Sequence, residues 1–212
     1  MNNRILMGIG FFLVTGALLV AGCGKISSGP LSPLINPAVA PFGAFDDGSL
    51  HGWAFDSSNP SNIESQFSQA DLSITANPLF QGNGSLQIHV PSGGTTLILT
   101  SYSIGVTFAP IDLRDKTMSM WVYLKSGLVA APNKVGAQLF LKDTSYYYAN
   151  GSFVNLTQGQ WAQVTYNVNA PSYQNNPPPN LASIYDVGLQ LAGSGSSVFT
   201  SDGIVIADSF GY

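Results

Sequence analysis

Period-two alternation of apolar and polar residues is the dominant pattern along this chain. Ser85-Leu86-Gln87-Ile88-His89-Val90 alternates, and so does Thr117 to Leu124, with Met118, Met120, Val122 and Leu124 on one side. Leu139 and Leu141 alternate with Gln138, Phe140 and Lys142. Val164, Tyr166 and Val168 alternate with Gln163, Thr165 and Asn167, and Val187, Leu189 and Leu191 with Gly188 and Gln190. A last apolar run, Ile204 to Ala207, lies near the end. Successive side chains of a strand point to opposite faces, so each run predicts a strand with one buried face. Gly82-Asn83-Gly84, Pro91-Ser92-Gly93-Gly94, Pro132-Asn133 and Asn150-Gly151 separate the runs. Gly and Asn accept positive φ and Pro breaks a ladder, so these are turns. Asn175 to Asn180, with three consecutive prolines, reads as a loop. No long stretch shows helical periodicity. Many short strands at this spacing predict an all-β fold, a β-sandwich of two packed antiparallel sheets.

The N-terminus has a different pattern. Arg4 precedes an apolar stretch, Ile5 to Ala21, that contains no charge. A short basic region followed by an apolar core is the layout of a secretory signal. At about 17 residues the stretch also reaches the lower limit for a membrane-spanning helix, so length alone leaves that reading open. Val20-Ala21-Gly22-Cys23 resembles the lipobox of bacterial lipoproteins. That resemblance implies cleavage before Cys23, lipid on the Cys23 sulfur, and residues 1–22 as a signal peptide. It also implies export and a membrane lipid anchor, with Gly24 rather than Asp after the cysteine favouring the outer membrane. Cys23 is the only cysteine, so no internal disulfide can form. Residues 23–41 carry four prolines and read as an extended spacer. Residues 42–212 form the predicted domain, large enough to bury a core without disulfide or metal.

Composition narrows the partners. Charged residues make up 8% of the chain, and the net charge is −4 with only seven Lys and Arg. Phosphate binding needs clustered basic side chains, so nucleic acid is excluded as a partner. A polar but barely charged surface suits neutral ligands. The alternation assigns Ser119, Trp121 and Tyr123, then Gln138, Phe140 and Lys142, then Gln163, Thr165 and Asn167, and Gln190, to the side away from the core. Where such strands neighbour one another, aromatic rings and amides share a face. Rings stack on the apolar side of a sugar and amides pair with its hydroxyls. Three adjacent tyrosines cannot all point one way on a strand, so of Tyr146, Tyr147 and Tyr148 either one or two line a binding edge, with Tyr147 the candidate, or all are ordinary surface tyrosines. The sugar-contact candidates are therefore Trp121, Tyr123, Gln138, Phe140, Tyr147 and Gln190. The competing reading is that Trp121 and Phe140 pack under a loop or in a second core layer. Trp161 reads as a packing residue at a strand start.

Several phrases in order resemble jelly-roll carbohydrate-binding modules with a galactose-binding-like fold. They are Phe45-Asp46-Asp47-Gly48 with Gly52-Trp53, Gly84 to Ile88, Leu113 to Leu124, Gly159-Gln160-Trp161, Val187 to Leu191, and Val205 to Asp208. The resemblance spans residues 42–212. It implies a glycan-binding, non-catalytic module and a structural Ca²⁺ held by Asp46 and Asp208. Asp46 stands where the family often has Glu, with Asp47 as an alternative ligand. For enzymatic chemistry there are two histidines without ligand spacing and a single glutamate, Glu64. The leading expectation is a membrane-tethered glycan-binding lipoprotein. The alternatives are a structural or protein-interaction lipoprotein of the cell envelope, and a small hydrolase.

Overall fold

A computed structural model describes residues 40, 43–55, 72–90, 101–128, 134–193 and 199–212, with side chains described at all of these except 101–103. The signal, Cys23 and the spacer up to residue 39 lie outside the described residues, as do the turns at 91–94 and 132–133. Twelve strands are described. They are β1 (Ala54–Phe55), β2 (Leu72–Thr75), β3 (Ser85–Val90), β4 (Ser101–Ile111), β5 (Thr117–Leu128) and β6 (Val135–Asp143). After these come β7 (Tyr148–Asn150), β8 (Val154–Leu156), β9 (Trp161–Asn167), β10 (Tyr173–Gln174), β11 (Ile184–Gly193) and β12 (Ser201–Gly211). Among the described residues there is no α-helix.

The strands form two antiparallel sheets. One has the order β2-β3-β12-β5-β9. The other has the order β1-β4-β11-β6-β7-β10, with β8 also pairing with β6. β8 and β7 run in turn along the same side of β6, against Val135–Ala137 and Phe140–Lys142. The inner faces carry the alternating apolar residues. Leu86, Ile88, Met120, Val122, Val164 and Val205 of the five-stranded sheet are buried with Ile104, Leu139, Leu141, Val187, Leu189 and Leu191 of the seven-stranded sheet. The predicted core residues Met120, Val122, Leu139, Leu189 and Leu191 are therefore in the core, and the phase of each run is as the alternation predicts. Strand β4 extends the pattern, burying Ile104 and Val106.

The two ends of the domain meet. Phe45 and Trp53 are fully buried, and Trp53 packs edge-on against Phe210 at 5.9 Å. The Phe210 amide donates to the Gly43 carbonyl at 3.2 Å, and the Ala40 amide donates to the Phe210 carbonyl at 2.9 Å. This seam places Asp46 and Asp208 at the same end of the sandwich.

Candidate functional site

The predicted sugar-contact residues do not come together. β6 and β11 belong to the seven-stranded sheet, whereas β5 belongs to the five-stranded sheet. Gln138, Phe140 and Gln190 therefore lie on one outer face of the sandwich, and Trp121 and Tyr123 lie on the opposite one. Parity within each strand is as predicted. The expectation of a single shared face needs correction, because alternation carries no information about which strands are neighbours.

On the seven-stranded sheet the pairing builds a continuous row from Ala54 through Gly105, Gly188, Phe140 and Asn150 to Tyr173. Phe140 is 1% exposed yet lies outside the inter-sheet core. Its ring lies across β11: a Cβ at Gly188 would stand 2.3 Å from its Cζ. Tyr148 stacks on Phe140 at 5.6 Å between centroids, and Tyr173 follows at 6.2 Å from Tyr148. The Asn150 side-chain amide donates to the Tyr148 hydroxyl at 3.0 Å. Tyr173 is 57% exposed, so the ladder climbs from a buried ring to an open one.

Polar groups flank this ladder. On one side the Gln138 amide donates to the Gln190 carbonyl oxygen. On the other side Lys142 Nζ lies 3.4 Å from Asp186 Oδ2, with both side chains 8% exposed, and 5.3 Å from the Phe140 centroid. The pair cancels its own charge, leaving the face close to neutral. Further along β6, Phe153 lies over Gly136, where a Cβ would stand 3.1 Å from the phenyl ring. From Gly136 to Lys142 the face runs about 20 Å, room for several sugar rings. Sequence reasoning singled out the Tyr146–Tyr148 run but preferred Tyr147 to Tyr148, and it missed Tyr173, Asn150 and Phe153. Their strands are two or three residues long, or absent, too short to show a period.

Tyr147 immediately precedes β7 and has the opposite parity to Tyr148, which pairs with Lys142. Its amide donates to Asp143 Oδ1 at 3.0 Å, within a turn organised by that carboxylate. The neighbouring Tyr148 stacks on Phe140 instead. Tyr146, 67% exposed, has a positive φ of 65° and packs edge-on against Tyr185.

On the five-stranded sheet, Trp121 pairs with Gln163 and Tyr123 with Trp161 across β5 and β9. Phe80, from the loop between β2 and β3, stacks on Trp121 at 3.9 Å with the planes 15° apart. Trp161 meets Phe80 edge-on at 5.5 Å and lies 5.3 Å from Tyr123. Trp161, at the first position of β9, thus packs at a strand start.

Asp46 and Asp208 line one cavity of about 240 Å³ with Ala44, Gln81, Gly82 and Ser209. Asp208 Oδ2 accepts from the Phe80 and Gln81 amides, both at 3.2 Å, and from the Ser85 hydroxyl at 2.8 Å. Asp46 Oδ1 accepts from the Asn83 amide at 2.5 Å and the Gly84 amide at 3.2 Å. Gly82 has a φ of +70°, and a side chain there would collide with the Asp46 carboxylate. The arm of Asp46 therefore reaches the cavity. Asp47 turns away, accepting from the Ser49 amide and pairing with His51 at 3.1 Å. Two carboxylates and a hydroxyl, with no cation among these lining residues, form an oxygen donor set that fits Ca²⁺. Among the described residues no three His, Cys, Asp or Glu side chains converge, so carbonyls would have to complete the shell.

No family model matches the chain, and no curated protein matches it. Solved structures do resemble it in fold. A family 28 carbohydrate-binding module specific for non-crystalline cellulose aligns with a TM-score of 0.57 and 15% identity, covering 83% of this chain and 96% of that one. A structure concerning the promiscuous specificity of carbohydrate-binding modules of the β-sandwich superfamily aligns at 0.50 and 12% identity. It covers 82% of this chain, which spans 62% of that one's length. An agarase aligns at 0.51 and 10% identity, with 82% of this chain covering 25% of that enzyme. The fold is thus the β-sandwich that these carbohydrate-binding modules share.

Proposed function

We propose that this chain is a non-catalytic glycan-binding module that recognises a neutral saccharide on the outer face of its seven-stranded sheet. The observation that carries this reading is the Phe140–Tyr148–Tyr173 ladder, flanked by the Gln138–Gln190 amide pair on a face close to neutral. Open rings such as Tyr173 offer a stacking surface, while amides offer both donors and acceptors to hydroxyls. Small-ligand sites combine a mostly apolar lining with a few fixed polar groups. The likeness in fold to carbohydrate-binding modules supports the reading. Isothermal calorimetry with neutral oligosaccharides tests it: Tyr148→Ala and Tyr173→Ala should each weaken binding at least about 10-fold, in keeping with loss of a buried aromatic contact. Unchanged affinity in both folded variants would remove this face as the site.

The same proposal includes the tether and the cation. Lipid on Cys23 would hold the module at a membrane, favoured to be the outer one, with the proline-rich spacer extending it from the surface. Asp46 and Asp208 would hold Ca²⁺ at the seam between the first and last parts of the domain. The ion would neutralise two carboxylates facing one cavity and so strengthen the folded state.

A further inference from the structure

We propose that the outer face of the five-stranded sheet is a second sugar-stacking platform, centred on Phe80 and preformed by Asp208. The inference rests on the glycan-binding reading above but concerns the opposite side of the sandwich. Phe80 is 37% exposed and sits on an irregular loop, where an exposed ring would ordinarily be free to move. Here it is fixed from both sides. Its ring stacks on Trp121 at 3.9 Å, and its amide donates to Asp208 Oδ2. Asp208 is 2% exposed and pairs directly with Trp121 across β12 and β5, so one short span of sheet anchors both ends of the Phe80 residue. Asp46 holds the following Asn83 and Gly84 amides. Ordering a loop costs conformational entropy, and ordering it before the ligand arrives spares that cost on binding.

Size and charge select the occupant. Among the described residues, Phe80 is the one exposed large hydrophobic side chain of this face, with Trp121, Tyr123 and Trp161 half-buried beneath and beside it. A stable protein interface needs about 800 Å² from each partner, and a single open phenyl ring falls well short of that. The nearby polar groups are Gln163 opposite Trp121, the Asn77 carbonyl, which accepts from Lys125 at 3.4 Å, and the buried Asp208 carboxylate, whose Oδ2 is taken up by the loop amides. One open ring, with an amide and the Lys125 cation that can donate to hydroxyls, fits the apolar side of a single neutral sugar residue.

The three tryptophans make the test specific to this face. Trp53 is fully buried in the core, and the other two, Trp121 and Trp161, both lie in this cluster. The aromatic ladder of the opposite face is built from phenylalanine and tyrosine. Cellohexaose, xylohexaose and mannohexaose would be titrated into the full chain, following calorimetry and tryptophan emission together. The expected result is a saturable emission change that Tyr148→Ala leaves intact. Phe80→Ala should weaken that signal at least about 10-fold, Phe80→Trp should keep it, and Asp208→Asn should weaken it about 3-fold or more by releasing the loop. Calorimetric binding with unchanged emission, and equal affinity in Phe80→Ala, would overturn the second platform and leave the proposed function standing. Absence of calorimetric binding to all three sugars would overturn both.

Discussion

The Phe140 ring occupies the space that a side chain at residue 188 would fill. Gly188 and Phe140 are direct partners across β11 and β6, and a Cβ at 188 would also stand 2.3 Å from the Ile104 carbonyl oxygen. A glycine in mid-strand weakens the strand in general, so its presence here marks a close approach. It lets a large ring lie along the sheet and stack beneath Tyr148.

Gly188→Ala should therefore destabilise the fold by about 1–3 kcal/mol, the usual range for overpacking. It should also lift Phe140 and disturb the ladder. Denaturant unfolding measures the first effect, and oligosaccharide affinity of the residual folded protein measures the second. A variant with wild-type stability would show that the sheet accommodates the methyl group without displacing the ring.

Tyr166 supplies a second prediction. Its hydroxyl is buried and has no hydrogen-bond partner among the described residues, and burial, with a smaller contribution from Tyr148, pushes its ionisation well above the ordinary value of 10.0. In the unfolded chain the group ionises near its ordinary value. The folded state thus keeps its full advantage below about pH 10 and loses it as the pH rises further, because only the unfolded chain releases the proton there. Stability should fall above that pH. Tyr166→Phe should reduce this alkaline loss and raise stability at neutral pH by about 1 kcal/mol, by removing an unsatisfied buried hydroxyl. Urea melts at about pH 7 and about pH 10.5, on either side of the free tyrosine value, compare the two proteins. An identical alkaline loss in both would reject the assignment.

The Asp46–Asp208 cavity leads to a third. Calcium that binds only the folded state raises stability as its concentration passes the dissociation constant. The melting temperature should be higher in millimolar calcium than in chelator, and Asp46→Asn should abolish the difference. Equal melting in both buffers would remove the ion and leave the hydrogen-bonded carboxylates as loop anchors.

A fourth concerns Cys23. Cells expressing the chain and supplied with labelled fatty acid should yield a labelled product, and Cys23→Ser should yield none. Label carried equally by the variant would mean that Val20 to Cys23 does not direct lipidation.

Local chemistry alone determined the phase of β3, β5, β6, β9, β11 and β12, while β4 and the short strands went unread. A strand's side chains alternate whatever surrounds it, so Met120 and Val122, or Leu139 and Leu141, could be assigned to the core and Trp121 or Phe140 to the outside. The pairing of Asp46 with Asp208 rested on a resemblance in sequence, and the structure places both on one cavity. Strand order was another matter. Trp121 and Phe140 share a parity yet sit on opposite outer faces, because β5 pairs with β12 and β9 while β6 pairs with β11 and β7. Those pairings join residues far apart in the chain, and no period along the sequence records them. The choice of Tyr148 over Tyr147, by contrast, was legible in the alternation and was missed. Alternation counted from β6 carries through the turn held by Asp143, for Tyr148 and Asn150 keep the parity of Lys142 and Phe140 and pair with them. Phe80 lies in a loop with no period at all, and only the folding of that loop onto Asp208 and Trp121 brings its ring to the sheet.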